Sequence, residues 1–274
     1  MIFRIAIPSY NRHTLLSLHT LSTLQKYKIS PSIIDIFVAN KSEYNTYKKS
    51  LDPTSYNRII IGKKGLRNQR NFIQQYYPEN TNLVQMDDDI EDILELHQKT
   101  TKIDPKQRKN YQYILKPISN LNSFIQDMFQ KCRSSNAFLW GIYPVANAFF
   151  MTPTISTSLK FIVGPMWGAI IRHSPDLKLE LDEKEDVERT LKYFHKDGIV
   201  VRANNITVKT KYYANKGGMQ STSDDRKADA LKSAEYLVKK WQQYAKLHLT
   251  KKSGHPEVKL RPTNKILSHT EKWI

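Results

Sequence analysis

The chain has 274 residues, 39% hydrophobic and 25% charged, enough apolar material for one large domain or two small ones. Its 43 Lys and Arg against 26 Asp and Glu leave a formal net charge of +17. That argues against an acidic disordered chain and for a polyanionic partner: nucleic acid, an anionic surface or a phosphorylated substrate. One cysteine, Cys132, excludes an intramolecular disulfide and a Cys-rich zinc module, and a reducing compartment is expected. The start carries Arg4 inside a short apolar run and Pro8 after it, unlike a signal peptide. The longest later apolar run, 163–171, is shorter than the roughly 20 residues that cross a bilayer. The expectation is a soluble cytoplasmic protein (host cytoplasm if viral) with no membrane partner.

In chain order, 3–7 reads as a buried strand and 13–27 as a helix carrying Leu15, Leu16, Leu18, Leu21 and Leu24. A strand at 33–38, a helix at 43–50 and a strand at 58–61 follow, the last closed by Gly62 and Gly65. A helix at 67–77 stops at Pro78, and a strand at 83–86 runs into Asp87-Asp88-Asp89. This alternation predicts a mostly parallel sheet covered by helices, with ligands outside the carboxyl ends of its strands. Residues 98–117 are polar, with six basic residues against Asp104, and read as a long loop or insertion. A helix at 120–132, strands within 138–145 and 161–171, and a helix at 185–195 ended by Asp197-Gly198 come next. Residues 199–213 read as extended, a hairpin turning at Asn204-Asn205. The last clear helix spans 225–248, with Leu231, Ala234, Val238, Trp241 and Ala245 on one face. The tail 250–274 is basic and short of apolar residues. Residues 1–198 hold 27 basic against 20 acidic residues, while 199–274 hold 16 against 6.

Three constellations carry chemistry. Asp87-Asp88-Asp89 ends an apolar strand, and carboxylates on alternate residues can converge on Mg²⁺ or Mn²⁺, which also holds a pyrophosphate. Taken alone, the cluster reads equally as a solvated acidic turn capping a helix that begins at Ile90. Gly65-Leu66-Arg67-Asn68-Gln69-Arg70-Asn71 opens a helix with two arginines on one face, suited to an anionic ligand or to an ordinary surface. Glu185-Asp186 starts a helix, where a carboxylate serves as general base or simply suits the helix dipole.

Ile-Pro-Ser-Tyr-Asn-Arg (7–12), Gly-x-x-x-x-Arg-Asn (65–71), Met-Asp-Asp-Asp (86–89) and Glu-Asp (185–186), in that order, resemble a GT-A fold nucleotide-sugar glycosyltransferase over roughly 3–200. The resemblance implies an α/β, Rossmann-like, mostly parallel sheet flanked by helices, with 1–213 as core and 214–274 as a basic helical extension packed on it. It places Pro8, Ser9, Tyr10, Arg12 and Asn40 around the nucleoside of a UDP-sugar. Gly65, Arg67, Arg70, Asn71, Asp87 and Asp88 join them on the donor. Asp89 would ligate Mn²⁺ or Mg²⁺ directly, with Asp87 towards ribose or metal, and His255 or His248 could complete the shell. Asp186, with Glu185 beside it, matches the catalytic base of the inverting members.

A narrower resemblance is carried by 211–220, the Trp-bearing helix and 256–261. It is to phage and viral DNA-modifying glycosyltransferases, relatives of the kinetoplastid base J glucosyltransferase. That resemblance implies transfer of a glucose-like sugar to 5-hydroxymethylcytosine or 5-hydroxymethyluracil in double-stranded or locally opened DNA. The basic surplus suits DNA phosphates, and the target base must leave the stack. Trp167 is the first choice as stacking platform; Trp140 and Tyr143 read as core. Lys216, Gly217 and Gly218 form a turn suited to close over a ligand, and Lys106, Arg108 and Lys109 suit the DNA backbone. The alternatives are the same chemistry on a polysaccharide or protein, a two-metal nuclease or nucleotidyltransferase built on the three aspartates, and a non-enzymatic DNA-binding protein.

Overall fold

The computed structural model describes residues 2–99, 112–210, 226–249 and 256–261. An eight-stranded sheet in the order β3-β2-β1-β4-β9-β7-β10-β8 forms the centre. Its strands are β1 (Arg4–Pro8), β2 (Ile34–Val38), β3 (Arg58–Ile61), β4 (Asn82–Met86), β7 (Leu139–Ile142), β8 (Ile155–Ser156), β9 (Met166–Ile170) and β10 (Val201–Ala203). β1 to β4 are mutually parallel, and β9 runs against both β4 and β7. β10 is parallel to β7. The carboxyl ends of β1 to β4, β7 and β10 therefore share one edge. β1, β2 and β4 are apolar runs because helices cover both their faces.

The helices are α1 (His13–Leu16), α2 (Ser22–Lys26), α3 (Lys41–Ser50), α4 (Leu66–Tyr76), α5 (Leu121–Ser134), α6 (Glu185–Asp197) and α7 (Arg226–Lys240). α1 and α2 are one continuous helix interrupted by a π-helical turn, Ser17–Leu21. Asn40 and Asn120 cap α3 and α5, each accepting from the backbone N–H three residues on. Gly198, at φ 71°, ends α6 in the left-handed conformation that glycine takes without strain. Residues alternate between the sheet faces: Ile5 and Ile7 pack with Leu16, Leu24 and Phe129 on one side. Ala6 and Phe37 pack with Ile73 and Tyr77 of the α4 side on the other. Leu139, Trp167 and Ala169 meet Leu191 and Phe194 of α6 and Leu237 of α7.

Four expectations are corrected. No helix begins at Ile90; the chain enters β5 (Asp92–Gln98), which pairs antiparallel with β6 (Tyr113–Pro117). Gln98 pairs with Tyr113 and Leu94 with Pro117, so both ends of the expected 98–117 loop are strand. Asn204-Asn205 is not a hairpin turn. β10 stays in the large sheet, whereas β11 (Ile206–Lys209) leaves it to pair with β5, so the asparagines form a corner between sheets. α7 ends at Lys240, and β12 (Ala245–His248) pairs with β13 (Glu257–Leu260), whose backbone takes the hydrogen bonds that a longer helix would have used. Ala234, Trp241 and Ala245 of the expected face are buried and Val238 packs against them, with Ala230 and Leu237 buried beside them. No helix among the described residues is long and apolar enough to cross a membrane.

Candidate functional site

The rim is built first from the end of β1. Ser9 Oγ donates to Asp88 Oδ2 at 2.6 Å, and the Tyr47 hydroxyl of α3 joins Ser9 at 2.6 Å. With the Ser9 proton committed to Asp88, Tyr47 donates to Ser9 and accepts from the Arg12 N–H at 3.1 Å. Arg12 Nη1 reaches Asp88 Oδ1 at 3.2 Å and Asp89 Oδ2 at 3.5 Å. Burial pushes the Asp88 carboxyl up to about 7, against the pull of Arg12 and Ser9. The middle aspartate is thus the buried one, an internal anchor, while Asp87 and Asp89 are half-buried.

The acidic turn is clamped from beneath. Thr20, in the π-helical turn and fully buried, donates to the Asp87 carbonyl at 2.8 Å and accepts from the Ile90 N–H at 3.0 Å. Thr23 donates to the carbonyls of Ile90 and Glu91. On the opposite side the Asp87 N–H bonds the Pro165 carbonyl at 2.8 Å. Asp89 Oδ1 accepts from Thr210 at 3.0 Å.

A chain of charge crosses the site from β4 to α6. Arg70, 2% exposed, donates to Gln85 Oε1 at 3.0 Å and to Asp87 Oδ1 at 2.7 Å. Its Nε lies 3.8 Å from Glu185 Oε1, and Glu185 Oε2 accepts from Arg189 Nη1 at 2.8 Å. Two guanidiniums therefore neutralise Asp87, at the exposed rim, and buried Glu185. Arg189 lies 3.9 Å from the Trp167 ring and Arg70 5.8 Å from it. Half-buried Asp186 follows Glu185, its Oδ1 accepting from the Val187 N–H at 2.9 Å. Burial, then the adjacent Glu185 charge, push its carboxyl up to about 6, against Arg189. A Cβ on Gly164 would come within 3.7 Å of both Asp186 Oδ2 and Glu185 Oε1, so this glycine lies directly against the acid pair.

Thus Ser9, Arg12, Arg70, Asp87, Asp88, Asp89, Glu185 and Asp186 meet along one strand edge. Other expected residues serve differently. Arg67 is held by the Glu180 carbonyl at 2.7 Å and by Asp182 at 3.3 Å. Asn71 exchanges two hydrogen bonds with the Leu179 backbone, fastening α4 to the segment before α6. Arg67 thus pairs with the segment before α6, and Arg70 with Asp87 and Glu185. Asn40 is a helix cap at the rim. Gly65, at φ 89°, is the residue before α4, and Pro8 closes β1. Tyr10 is half-buried at the rim with Lys64 Nζ 5.9 Å from its ring.

Trp167 is 2% exposed among core residues, so it offers no face to an unstacked base; strand β9 points its side chain beneath Arg70 and Arg189. His248 is on β12, in the C-terminal hairpin, 3.6 Å from Glu257. His255, Lys216, Gly217, Gly218, Lys106, Arg108 and Lys109 lie outside the described residues.

No group of three or more His, Cys, Asp or Glu among the described residues is placed to hold a metal ion. Asp87, with a side chain 32% exposed, and Asp89 suit instead a hard cation held by one or two carboxylates and completed by substrate oxygens and water. Sequence reading missed Thr20, Tyr47, Gln85 and Arg189. Of these only Arg189 carried a signal, its helical i+4 spacing from Glu185.

No family model matches the chain, and no curated protein matches it in sequence. Its fold is similar to that of S. aureus TarS residues 1–349 in complex with UDP-GlcNAc: TM-score 0.51 at 13% identity, covering 87% of this chain and 67% of that one. Against a longer S. aureus TarS chain the TM-score is 0.50 at 12% identity, covering 87% of this chain and 40% of that chain. The chain thus spans two fifths of that longer relative. Glucosyl-3-phosphoglycerate synthase from Mycobacterium tuberculosis, in complex with Mn²⁺, UDP and glucosyl-3-phosphoglycerate, matches at TM-score 0.47 and 8% identity over 95% of this chain and 87% of that one. The chain has the α/β architecture of the GT-A fold, a largely parallel sheet flanked by helices.

Proposed function

We propose that this protein is a metal-dependent glycosyltransferase that moves a glucose-like sugar from a UDP-sugar to an acceptor hydroxyl with inversion. One observation carries the reading: Arg70 spans Asp87 and Glu185, tying the acidic turn after β4 to the acid pair that opens α6. TarS, of similar fold, was crystallised with UDP-GlcNAc, which supports a nucleotide-sugar donor.

Asp87 and Asp89 would hold a divalent cation (Mn²⁺ or Mg²⁺), which would supply charge neutralisation for the donor pyrophosphate. Ser9 and Arg12 hold Asp88, so the turn bearing both ligands stays in place. Asp186 takes the proton of the acceptor hydroxyl as that oxygen bonds to C1 of the sugar. The C1–O bond to phosphate breaks and the nucleoside diphosphate leaves with the electron pair. General-base help of about 10²–10⁴-fold is the expected scale. Arg189 and Arg70 hold Glu185 so that its charge keeps the Asp186 carboxylate basic.

The acceptor in this reading is a hydroxymethylated pyrimidine in DNA, supported by the basic surplus concentrated after residue 198. Residues 1–213 are taken as the transferase core and 214–274 as its basic extension. The donor assignment is tested by thermal shift with UDP-sugars and Mn²⁺ in the absence of DNA, where stabilisation requiring both is expected. The acceptor is tested by mass spectrometry of hydroxymethylated DNA after incubation with each donor. Absence of any mass gain on that DNA, with transfer to a polysaccharide or protein instead, would replace DNA as the acceptor.

A further inference from the structure

Of the buried and half-buried arginines among the described residues, Arg4, Arg12, Arg67, Arg70, Arg172 and Arg189 each face a carboxylate. Arg202 faces none. Its Nε donates to Asn204 Oδ1 at 2.8 Å and its Nη1 to the Phe161 carbonyl at 3.3 Å, and its guanidinium lies 5.1 Å from the Tyr143 ring. Burial lowers its pKa, opposed by the Tyr143 side chain, and no carboxylate among the described residues pairs with it. A half-buried cation left with neutral partners is a costly arrangement unless an anion arrives from outside.

Its place in the sheet gives that anion a role. Arg202 is in register with Gly141, Gly141 with Trp167, and Trp167 with Gln85. It therefore stands level with the residue that Arg70 holds, three strand spacings away, or about 14 Å. It lies on the side of the sheet away from β1 and the residues around the acidic turn. The bond to Asn204, two residues nearer the carboxyl end of β10, aims the guanidinium towards the edge that carries Asp87. Phe161, which Arg202 bonds, is three residues from Gly164 at the acid pair, a stretch of at most about 11 Å.

The neighbourhood is aromatic as well as cationic. The segment after β7 folds over the end of β10 through bonds between Thr152 and Asn204 and between Asn204 and Thr154. It carries the Phe149–Phe150 pair, ring centroids 5.0 Å apart, with Phe150 58% exposed. A guanidinium suits a phosphate, and exposed flat rings suit bases.

We propose that Arg202 and the Tyr143 ring form a subsite for a backbone phosphodiester of a nucleic-acid acceptor, a few nucleotides from the reacting hydroxyl. The subsite rests on the transferase reading for its position in the reaction, though not for its ability to bind.

Arg202→Gln and Arg202→Lys test it. The probe is a single-stranded oligonucleotide carrying one hydroxymethylcytosine, its affinity followed by fluorescence anisotropy across a salt series. Arg202→Gln is expected to weaken binding about tenfold and to flatten the salt dependence by about one phosphate contact. Arg202→Lys should keep most of the affinity. Transfer to the free nucleoside, which has no phosphate, should be unchanged in Arg202→Gln. Equal oligonucleotide affinity in wild type and Arg202→Gln overturns the subsite, and so does an equal loss on nucleoside and oligonucleotide. If Arg202→Gln melts far below wild type, the lysine variant decides: retained affinity with the salt slope intact supports the proposal, and loss as deep as for a neutral side chain overturns it. Oligonucleotide binding that depends on Arg202 without any sugar transfer leaves the subsite standing and removes the transferase reading.

Discussion

The Thr20 hydroxyl donates to the backbone carbonyl of Asp87 at 2.8 Å across 67 residues of sequence. A π-helical turn makes this possible. It inserts one extra residue into the helix after β1 and so turns a threonine under the acidic loop. Thr20→Val removes the donor to Asp87 and the acceptor for the buried Ile90 N–H. The expected cost is about 1–3 kcal/mol of stability, read by chemical denaturation. Mn²⁺ affinity, read by calorimetry without sugar, should fall with it, and Thr20→Ser should restore both.

Asp186 sets the acid limb of activity. Its carboxyl is pushed up to about 6, so transfer should decline as pH falls through that value and the base takes up a proton. The folded protein holds this proton more tightly than the unfolded chain does. Ionising Asp186 therefore costs stability as pH rises from about 4 to 6. Asp186→Asn should abolish transfer, keep donor binding and raise the melting temperature at pH 8. A variant that turns over at the wild-type rate would refute the base assignment.

Arg70→Met probes the link across the site. It strands Gln85 Oε1 and leaves Asp87 without its 2.7 Å partner, so a loss of about 2–4 kcal/mol is expected together with loss of transfer. Arg70→Lys should recover part of the stability but little activity, because one ammonium does not span Gln85, Asp87 and Glu185.

Asp35 separates folding from function. It is fully buried in β2 and far along the strand from the rim, accepting from Arg4, Asn57, Arg58 and Tyr77. Burial alone would raise its carboxyl; these donors outweigh it and hold the group below the usual range. Its contribution is thus present at neutral pH and lost as acid protonates it. Asp35→Asn should cost about 2–3 kcal/mol by denaturant unfolding and leave donor affinity unchanged.

Salt should divide the two substrates. Raising ionic strength is expected to weaken DNA binding steeply and nucleotide-sugar binding only mildly. Equal sensitivity in a paired titration would undo the assignment of the C-terminal charge to DNA.

The first ninety residues were legible because parallel strands buried on both faces are written as apolar runs, such as Ile34–Val38, and amphipathic helices alternate with them. The small sheet was not, because β11 finds its partner β5 far back along the chain, and Asn204-Asn205 looks locally like a turn. α7 was overextended because Trp241 and Tyr244 continue its apolar spacing while the backbone already turns towards β12. At the site, acidic residues were visible as clusters. Their holders were not: Thr20 depends on a π-turn and Tyr47 on a long-range contact. Trp167 showed how an aromatic beside glycines can equally be a buried floor for two guanidiniums.

Lys184, immediately before the acid pair, holds a left-handed φ of 62°, and its Nζ bonds the Pro256 carbonyl at 2.7 Å. A residue with a side chain pays strain in that conformation, so the far end of the chain serves as an external splint on the very turn that aims Glu185 and Asp186. Shortening the protein before residue 256 would therefore loosen the general base itself.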